Sequence, residues 1–412
     1  MKKLERFVAL VLTVLMLLAF SSALAEEKKD IEIYILSCAE ELDETSDVFQ
    51  AYKLAAENLG YKYNLEVIDD ETYKTKIRVM LQANELPDIF YTWGGSYSES
   101  FIAASALYPV EQAIKDSGYK FFDTYTQPGP DGHIYWVANA SFEAYCLYYN
   151  KDVLKKVGVE PPTTWDELVA VVDACNKAGV PAMGLGNKDR WEGDLVYNML
   201  VLRQDQNAFA NAVAGTASFK DEPFKTAAQQ VLDLVKTNGF QNGYTQATND
   251  ECSQLLLAGE IAMYPSGPWL LSTFNQTDSI GFVPFPATGK EDARAASCGN
   301  ASDAGLCVSA SSKHPYEAAR YAVEYAKCLN DLNAKYGQLT FMETDVKPDA
   351  PVSELMQSYA DYLKGLQFTQ LWWYTSLDNA IGEPMRDLSQ QLFAGDIEAD
   401  AFVESLDEIM LG

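Results

Sequence analysis

Two rhythms alternate along this chain: short unbroken apolar runs, and apolar residues recurring every three or four positions. Residues 31–36 (IEIYIL) read as a buried strand. Val48, Phe49, Tyr52, Ala55, Ala56 and Leu59 then follow at helical spacing, and Gly60 ends that helix. Residues 63–68 predict a second strand, and Tyr73, Ile77, Met80 and Leu81 mark a second helix. Pro87 breaks it, and Ile89-Phe90-Tyr91 predicts a third strand running into Trp93-Gly94-Gly95. A β-α-β-α-β order implies a mostly parallel sheet with helices on both faces. Ligands of such sheets sit beyond the carboxyl ends of the strands, where Ser37 and Trp93 fall. Glu40 and Glu41, just after Ser37, are weaker candidates on the same argument.

The pattern resumes after Asp131. Residues 145–149 are strand-like. Thr164-Trp165-Asp166-Glu167 has the spacing of a capping box, in which the Thr hydroxyl and the Glu carboxylate satisfy free amides at a helix start. The helix over 165–178 stops at Gly179. Phe224, Ala228, Val231, Leu234 and Val235 form another amphipathic face, closed by Gly239. There is no internal repeat and no low-complexity linker, which fits lobes joined by several short strand-like crossings rather than one tether.

The first residues change the expected compartment. Lys2, Lys3 and Arg6 precede an apolar run over 7–20, and Ala23-Leu24-Ala25 supplies a small-x-small cleavage site. The run falls short of the roughly 20 apolar residues that span a bilayer core, so it reads as a signal peptide of residues 1–25 cleaved near Ala25. The expected product starts at Glu26 and works outside the cytoplasmic membrane, in the extracellular space or periplasm. No cysteine follows in lipobox fashion.

The chain has 412 residues, 48% of them hydrophobic, which is long for one core and comfortable for two. Its net charge of −28 repels phosphate backbones and anionic headgroups, which excludes nucleic acid as a partner. The seven cysteines are an odd number, so at least one thiol stays unpaired. Cys298 and Cys307 are near enough in sequence to bridge, or they are two small buried residues. With only His133 and His314 and no CxxC spacing, neither a metal site nor a cofactor is expected. No GxSxG elbow, Gly-rich phosphate loop or HExxH motif occurs.

Several stretches together resemble the family 1 extracellular solute-binding proteins of ABC importers, the maltose-binding-protein group. QANELPDIF over 82–90 is similar to the family's helix-to-strand junction, and FEAYCLYYNKD over 142–152 to its strand-to-helix segment. PPTTWDEL over 161–168, LAGEIAM over 257–263 and SGPW over 266–269 resemble three further elements, in the family's order. The resemblance implies an α/β, two-lobed periplasmic-binding-protein-like fold, each lobe a mostly parallel sheet flanked by helices, with the ligand cleft between lobes. It places residues 26–142 and 303–365 in the N-terminal lobe, and 143–302 and 366–412 in the C-terminal lobe. It also implies a carbohydrate ligand, membrane permease subunits as partners, and no catalysis, in a chain expected to be monomeric.

A pyranose offers a face of C–H bonds and a belt of hydroxyls, so a sugar site asks for flat aromatics beside short polar residues. Trp93 precedes two glycines, and Trp191 lies in the polar run with Asp189 and Arg190. Trp269 follows Gly267-Pro268, and Trp372-Trp373-Tyr374 precedes Asp378 and Asn379. Adjacent helical residues point about 100° apart, so only one of Trp372 and Trp373 need face a cleft. Trp136 and Trp165 sit inside element patterns and read as packing. Glu143 either bonds to hydroxyls, as the resemblance implies, or is simply solvated. Asn300 and Asp303 either line the cleft or shape a hinge turn. Two other readings stay open: a polyamine or other cation caged by aromatics and carboxylates, and a secreted glycoside hydrolase working through two acidic residues. A sensor rather than an importer is a third destination for the same ligand.

Overall fold

The computed structural model describes residues 31–38, 45–129, 131–140, 143–288, 292–299 and 304–411. The first lobe begins with β1 (Glu32–Cys38), α1 (Asp47–Leu59), β2 (Lys62–Ile68), α2 (Asp70–Ala83), β3 (Ile89–Thr92), α3 (Ser96–Ala103), α4 (Glu111–Ser117) and β4 (Trp136–Val137). The second contains β5 (Cys146–Asn150), α5 (Lys151–Val157), α6 (Trp165–Ala178), α7 (Trp191–Gln204), α8 (Ala208–Val213), α9 (Glu222–Lys236), α10 (Asn249–Leu257), β6 (Met263–Ser266), α11 (Leu271–Phe274), β7 (Ile280–Pro284) and β8 (Ala296–Gly299). The chain returns to the first lobe for β9 (Gly305–Val308) and α12 (Pro315–Lys335). It ends on the second with α13 (Glu354–Gly365), β10 (Phe368–Leu371), α14 (Trp373–Ser376), α15 (Asn379–Ala394) and α16 (Ala399–Leu411).

Local chemistry sets these boundaries. Ser46 Oγ accepts from Phe49 N–H at 3.2 Å to open α1, and Asp69 Oδ1 accepts from Thr72 N–H at 3.0 Å to open α2. The capping box at Thr164 forms as expected, with Thr164 N–H on Glu167 Oε2 at 3.1 Å and Glu167 N–H on Thr164 Oγ1 at 3.3 Å. Helix α9 stops because Asn238 turns left-handed at φ 53° and Gly239 N–H closes on Leu234 O at 2.7 Å.

In the first lobe the strand order is β2-β1-β3-β9-β4, with β1 parallel to β2 and β3, and β9 antiparallel to β3 and β4. One face is covered by α1 and α12, where Tyr52 and Tyr325 stack at 4.0 Å. On the other face Leu36, Tyr73, Phe90, Phe101 and Trp136 pack together. The second lobe departs from the expected mostly parallel sheet. Its β6-β5-β7 strands are antiparallel, and parallel pairing in this lobe is left to β8 with β10 and to isolated bridges at Met183 and Thr164 among the described residues. Strand β5 is central in this sheet and both neighbours run against it, leaving little room for a βαβ unit.

The lobe boundary expected at 365 is also corrected. Helix α13 buries Leu355, Met356, Tyr359 and Tyr362 against Ala144, Cys146 and Tyr148 of the second lobe. Tyr359 OH donates to Ala144 O at 2.7 Å and accepts from Ala144 N–H at 2.9 Å, so the crossing lies before residue 354. Strands β8 and β10 pair in parallel beside the crossings. All seven cysteines are free, so Cys298 and Cys307 are two buried thiols rather than a bridge. Among the described residues no helix is long and apolar enough to cross a membrane.

A tryptophan-lined cleft between the lobes

A cavity of about 490 Å³ opens between the lobes. Trp93, Asp70, Ser37 and Tyr91 line it from the first lobe; Glu143, Trp191, Asn249, Asp250, Trp269, Trp372 and Tyr374 line it from the second. A volume of this size is ordinary for a small-molecule site, and the mix of flat rings with a few convergent polar groups fits one.

Each ring is held by its own support. Trp93 leaves the end of β3 and is boxed by Tyr73, Tyr91 and Tyr97, with centroids at 5.6, 4.9 and 5.4 Å. Lys74 Nζ stands 5.1 Å from the Trp93 ring and pairs with Asp70 at 2.5 Å and Glu71 at 3.0 Å. Trp269 folds back over Gly267, where a Cβ would lie 2.0 Å from the indole, so any larger residue there would push the ring off this seat. Its ring meets Trp191 edge to face at 5.6 Å. The Trp269 indole N–H is buried with no partner among the described residues, a donor available to a ligand.

Trp191 opens α7, and the residue after it fixes it. Glu192 is 1% exposed; its carboxylate accepts from Gly186 N–H at 2.7 Å and from Tyr264 O–H at 2.9 Å. Asn249 Nδ2 donates to Tyr264 Oη at 2.7 Å. This buried network ties the start of α7 to the start of α10, which carry Trp191 and Asn249-Asp250 to the cavity. Burial pushes the Glu192 pKa up to about 7, while these hydrogen bonds hold it back from rising further. Elsewhere on the cavity wall burial pushes Glu143 up to about 8.

The expected candidates divide. Trp93, Glu143, Trp191, Trp269 and Trp372 come together around the cavity, as does Ser37. Trp373 does not: it is fully buried in the second lobe, stacked on Phe209 at 4.5 Å with an interplanar angle of 9°. Its backbone N–H goes to Asn198 Oδ1 at 3.0 Å, which turns it away from Trp372 and into the core. Asp189 and Arg190 stand beside the cavity rather than on its wall. Arg190 has φ 69°, a left-handed turn that sends its guanidinium to Asp387 at 2.5 Å and Glu383 at 3.3 Å. Asp189 offers its backbone carbonyl to Arg386 at 2.6 Å. Trp136 is buried in the first lobe and Trp165 packs on the second-lobe core. Asn300, Asp303, Glu40 and Glu41 lie outside the described residues.

The sequence reading missed Asp70, Tyr91, Asn249 and Asp250. Asp70 was signalled by its place at the helix start after β2, on the strand-end rule applied to Ser37 and Trp93. Asn249-Asp250 sit inside a second capping box, Thr248 to Glu251, which the pattern allowed but aromatic content did not flag.

Two α/β lobes closing on a ring-lined cavity define a ligand-capturing protein of the clamshell type. The chain belongs to the bacterial extracellular solute-binding proteins, whose family model matches residues 48–362. It is 25% identical over 224 residues to an ABC transporter extracellular-binding protein of Pyrococcus horikoshii, covering 52% of this chain and 50% of that one. It is 27% identical over 201 residues to a multiple sugar-binding protein of Streptococcus mutans, covering 46% of each. The chain thus spans about half the length of these curated relatives. Among solved structures, one from work on xylan utilization by the thermophilic bacterium Caldanaerobius polysaccharolyticus superposes with TM-score 0.83 at 28% identity, over 92% of this chain and 99% of that one. A chitin oligosaccharide binding protein superposes with TM-score 0.81 at 18% identity, covering 92% and 98%, and shares the fold.

Proposed function

We propose that the protein captures an oligosaccharide between its lobes and delivers it to the permease of an ABC importer. The observation that carries this is the cavity itself: Trp93, Trp191, Trp269 and Trp372 approach it from both lobes, with carboxylates and amides between the rings. Flat rings cover the C–H faces of pyranoses, and Asn249, Asp250 and the Trp269 N–H serve the hydroxyls. Rings spread over both lobes suit more than one sugar unit. Relatives and neighbours with sugar names support the same reading, and xylo-oligosaccharides are the first ligands to try.

A polyamine is disfavoured by the carboxylates. Asp70 is already paired with Lys74, and burial holds Glu143 toward its neutral form, which leaves Asp250 to meet a cation without a second free carboxylate among the described lining residues. Catalysis is disfavoured because the family and its solved neighbours are binding proteins; we assign no reaction. Exposure to the cell exterior after loss of residues 1–25 completes the proposal.

The test is a thermal-shift and calorimetric panel of xylo-oligosaccharides, chito-oligosaccharides, stachyose and polyamines on the purified protein. A ligand of the folded state raises the melting temperature by mass action. A rise with a sugar supports the proposal; a rise with spermidine and none with any sugar overturns it. New reducing ends after incubation with the sugar would replace capture with hydrolysis.

A further inference from the structure

Beside the cavity, behind Asp70 and Tyr374, a charge cluster joins the lobes through residues that do not line the space. Glu71, in the first turn of α2, belongs to the first lobe. Its Oε1 accepts from Arg386 Nη2 at 2.8 Å, and its Oε2 lies 3.8 Å from Arg190 Nη2. Both arginines belong to the second lobe, on α15 and just before α7. Arg386 is 0% exposed; it also holds Asp189 O at 2.6 Å and Glu383 at 3.3 Å. Its guanidinium stands 5.4 Å from the ring of Tyr374, and Lys74 approaches that ring at 5.9 Å from the first lobe. Tyr374 and Asp70, the neighbour of Glu71, line the cavity. Burial works against charge on Glu71, but Lys74 and Arg386 outweigh it and bring its pKa down to about 2.

We propose that Glu71 with Arg386 and Arg190 forms a cross-cleft latch, a positioning group that favours the closed lobes and sets how tightly the ligand is kept. The chain carries a net −28, so closing the cleft brings two acidic bodies together. Setting Glu71 of one lobe against Arg386 and Arg190 of the other offsets part of that repulsion where the lobes meet. Arg386 donating to Oε1 and Arg190 standing beside Oε2 of one partly buried carboxylate also fix the register of closure. Glu71 reaches the ligand only through the wall it holds, by way of Asp70 and Tyr374. Ligand dissociation then requires breaking the latch, and ionic strength weakens retention through it.

The latch rests on the capture reading, so its test has one arm that needs no ligand. Small-angle scattering of the ligand-free protein, wild type against Glu71→Gln, reads the closure directly. The variant is expected to have the larger radius of gyration at low salt, and the wild type to expand toward it in 1 M NaCl. Equal radii at low salt overturn the latch. Arg190→Gln is the second variant, since its side chain is partly exposed and its loss does not threaten folding as loss of buried Arg386 would. In the second arm, with whichever panel sugar binds the wild type, Glu71→Gln is expected to dissociate about tenfold faster, as for loss of one partner of a largely buried charge pair. An unchanged dissociation rate and salt slope also overturn the latch. A panel in which no sugar binds fails the capture reading alone, and the scattering arm still decides.

Discussion

Truncating Trp373 and Trp191 to alanine removes the same side chain from two positions with different roles. Trp373 is fully buried, stacked on Phe209 and edge-on to Tyr197 and Phe224 at 5.5 and 5.8 Å. Its loss leaves a cavity that the surrounding helices can only partly fill, at a cost of about 3–5 kcal/mol. With an unfolding entropy of about 2 cal/mol/K per residue, that lowers the melting temperature by about 5–10 °C, the larger figure if the second lobe melts alone. Affinity should barely change below the transition, because Trp373 does not line the cavity. Trp191 is partly exposed on the cavity wall, and its loss should move the melting temperature far less. Affinity should fall by about 10–100-fold, as for an aromatic anchor at the centre of a contact. Scanning calorimetry of both variants, with isothermal titration of the sugar found in the panel, gives the four numbers. The reasoning fails if Trp373→Ala melts with the wild type, or if Trp191→Ala binds with wild-type affinity.

Three further outcomes are expected. Glu143 has a folded pKa raised from 4.5 to about 8, so the folded state favours its neutral form. Its contribution is full below pH 4.5 and is lost as pH rises toward 8, by several kcal/mol at most since cavity water reaches the side chain. Urea titrations should show this loss in the wild type and a flatter profile in Glu143→Gln; matching profiles would refute the assignment. Gly95 has φ 54° and ψ −134°, and a Cβ there would sit 2.2 Å from Thr375 O of the other lobe. Gly95→Ala should therefore cost about 1–3 kcal/mol and weaken ligand binding by spreading the lobes, both read by titration calorimetry with a denaturant control. Finally, all seven thiols are free and Cys38 is the most exposed of them, its ionisation suppressed by burial and by Asp70. A chromogenic disulfide reagent should find at most one slow thiol in the native protein and seven after denaturation; fewer than seven would show a disulfide.

The elements that were legible in the sequence share a local cause. The helix over 165–178 carries its own capping box and terminal glycine, and the observed α6 has the same limits. Strands β1 and β3 were legible because burial on both faces leaves them largely apolar, and the edge strand β2 because its apolar residues alternate with polar ones. The second-lobe sheet was not, because strand direction depends on which distant segments become neighbours. Tyr359 shows the same limit: it lies in an ordinary amphipathic helix pattern, and only its bonds to Ala144 assign that helix to the second lobe. At the site, tryptophans beside glycine or polar residues pointed to the cavity, whereas Trp372 and Trp373 could not be separated without the backbone turn between them. The Glu71–Arg386 contact joins residues with no mutual signature in the sequence, so charge pattern alone could not reveal it.

Strand β9 has a further consequence, for the order in which the molecule can assemble. It lies between β3 and β4, and pairing Ile89 with Val308 joins positions roughly two hundred residues apart, a separation that makes closure slow. Helix α12, which covers the same sheet, arrives later still. A growing chain therefore completes the whole second-lobe sheet of β5, β6 and β7 before the first lobe has the strand that joins β4 to β3. The half that begins first is finished late, and until then its apolar sheet edge stands open to whatever holds nascent chains.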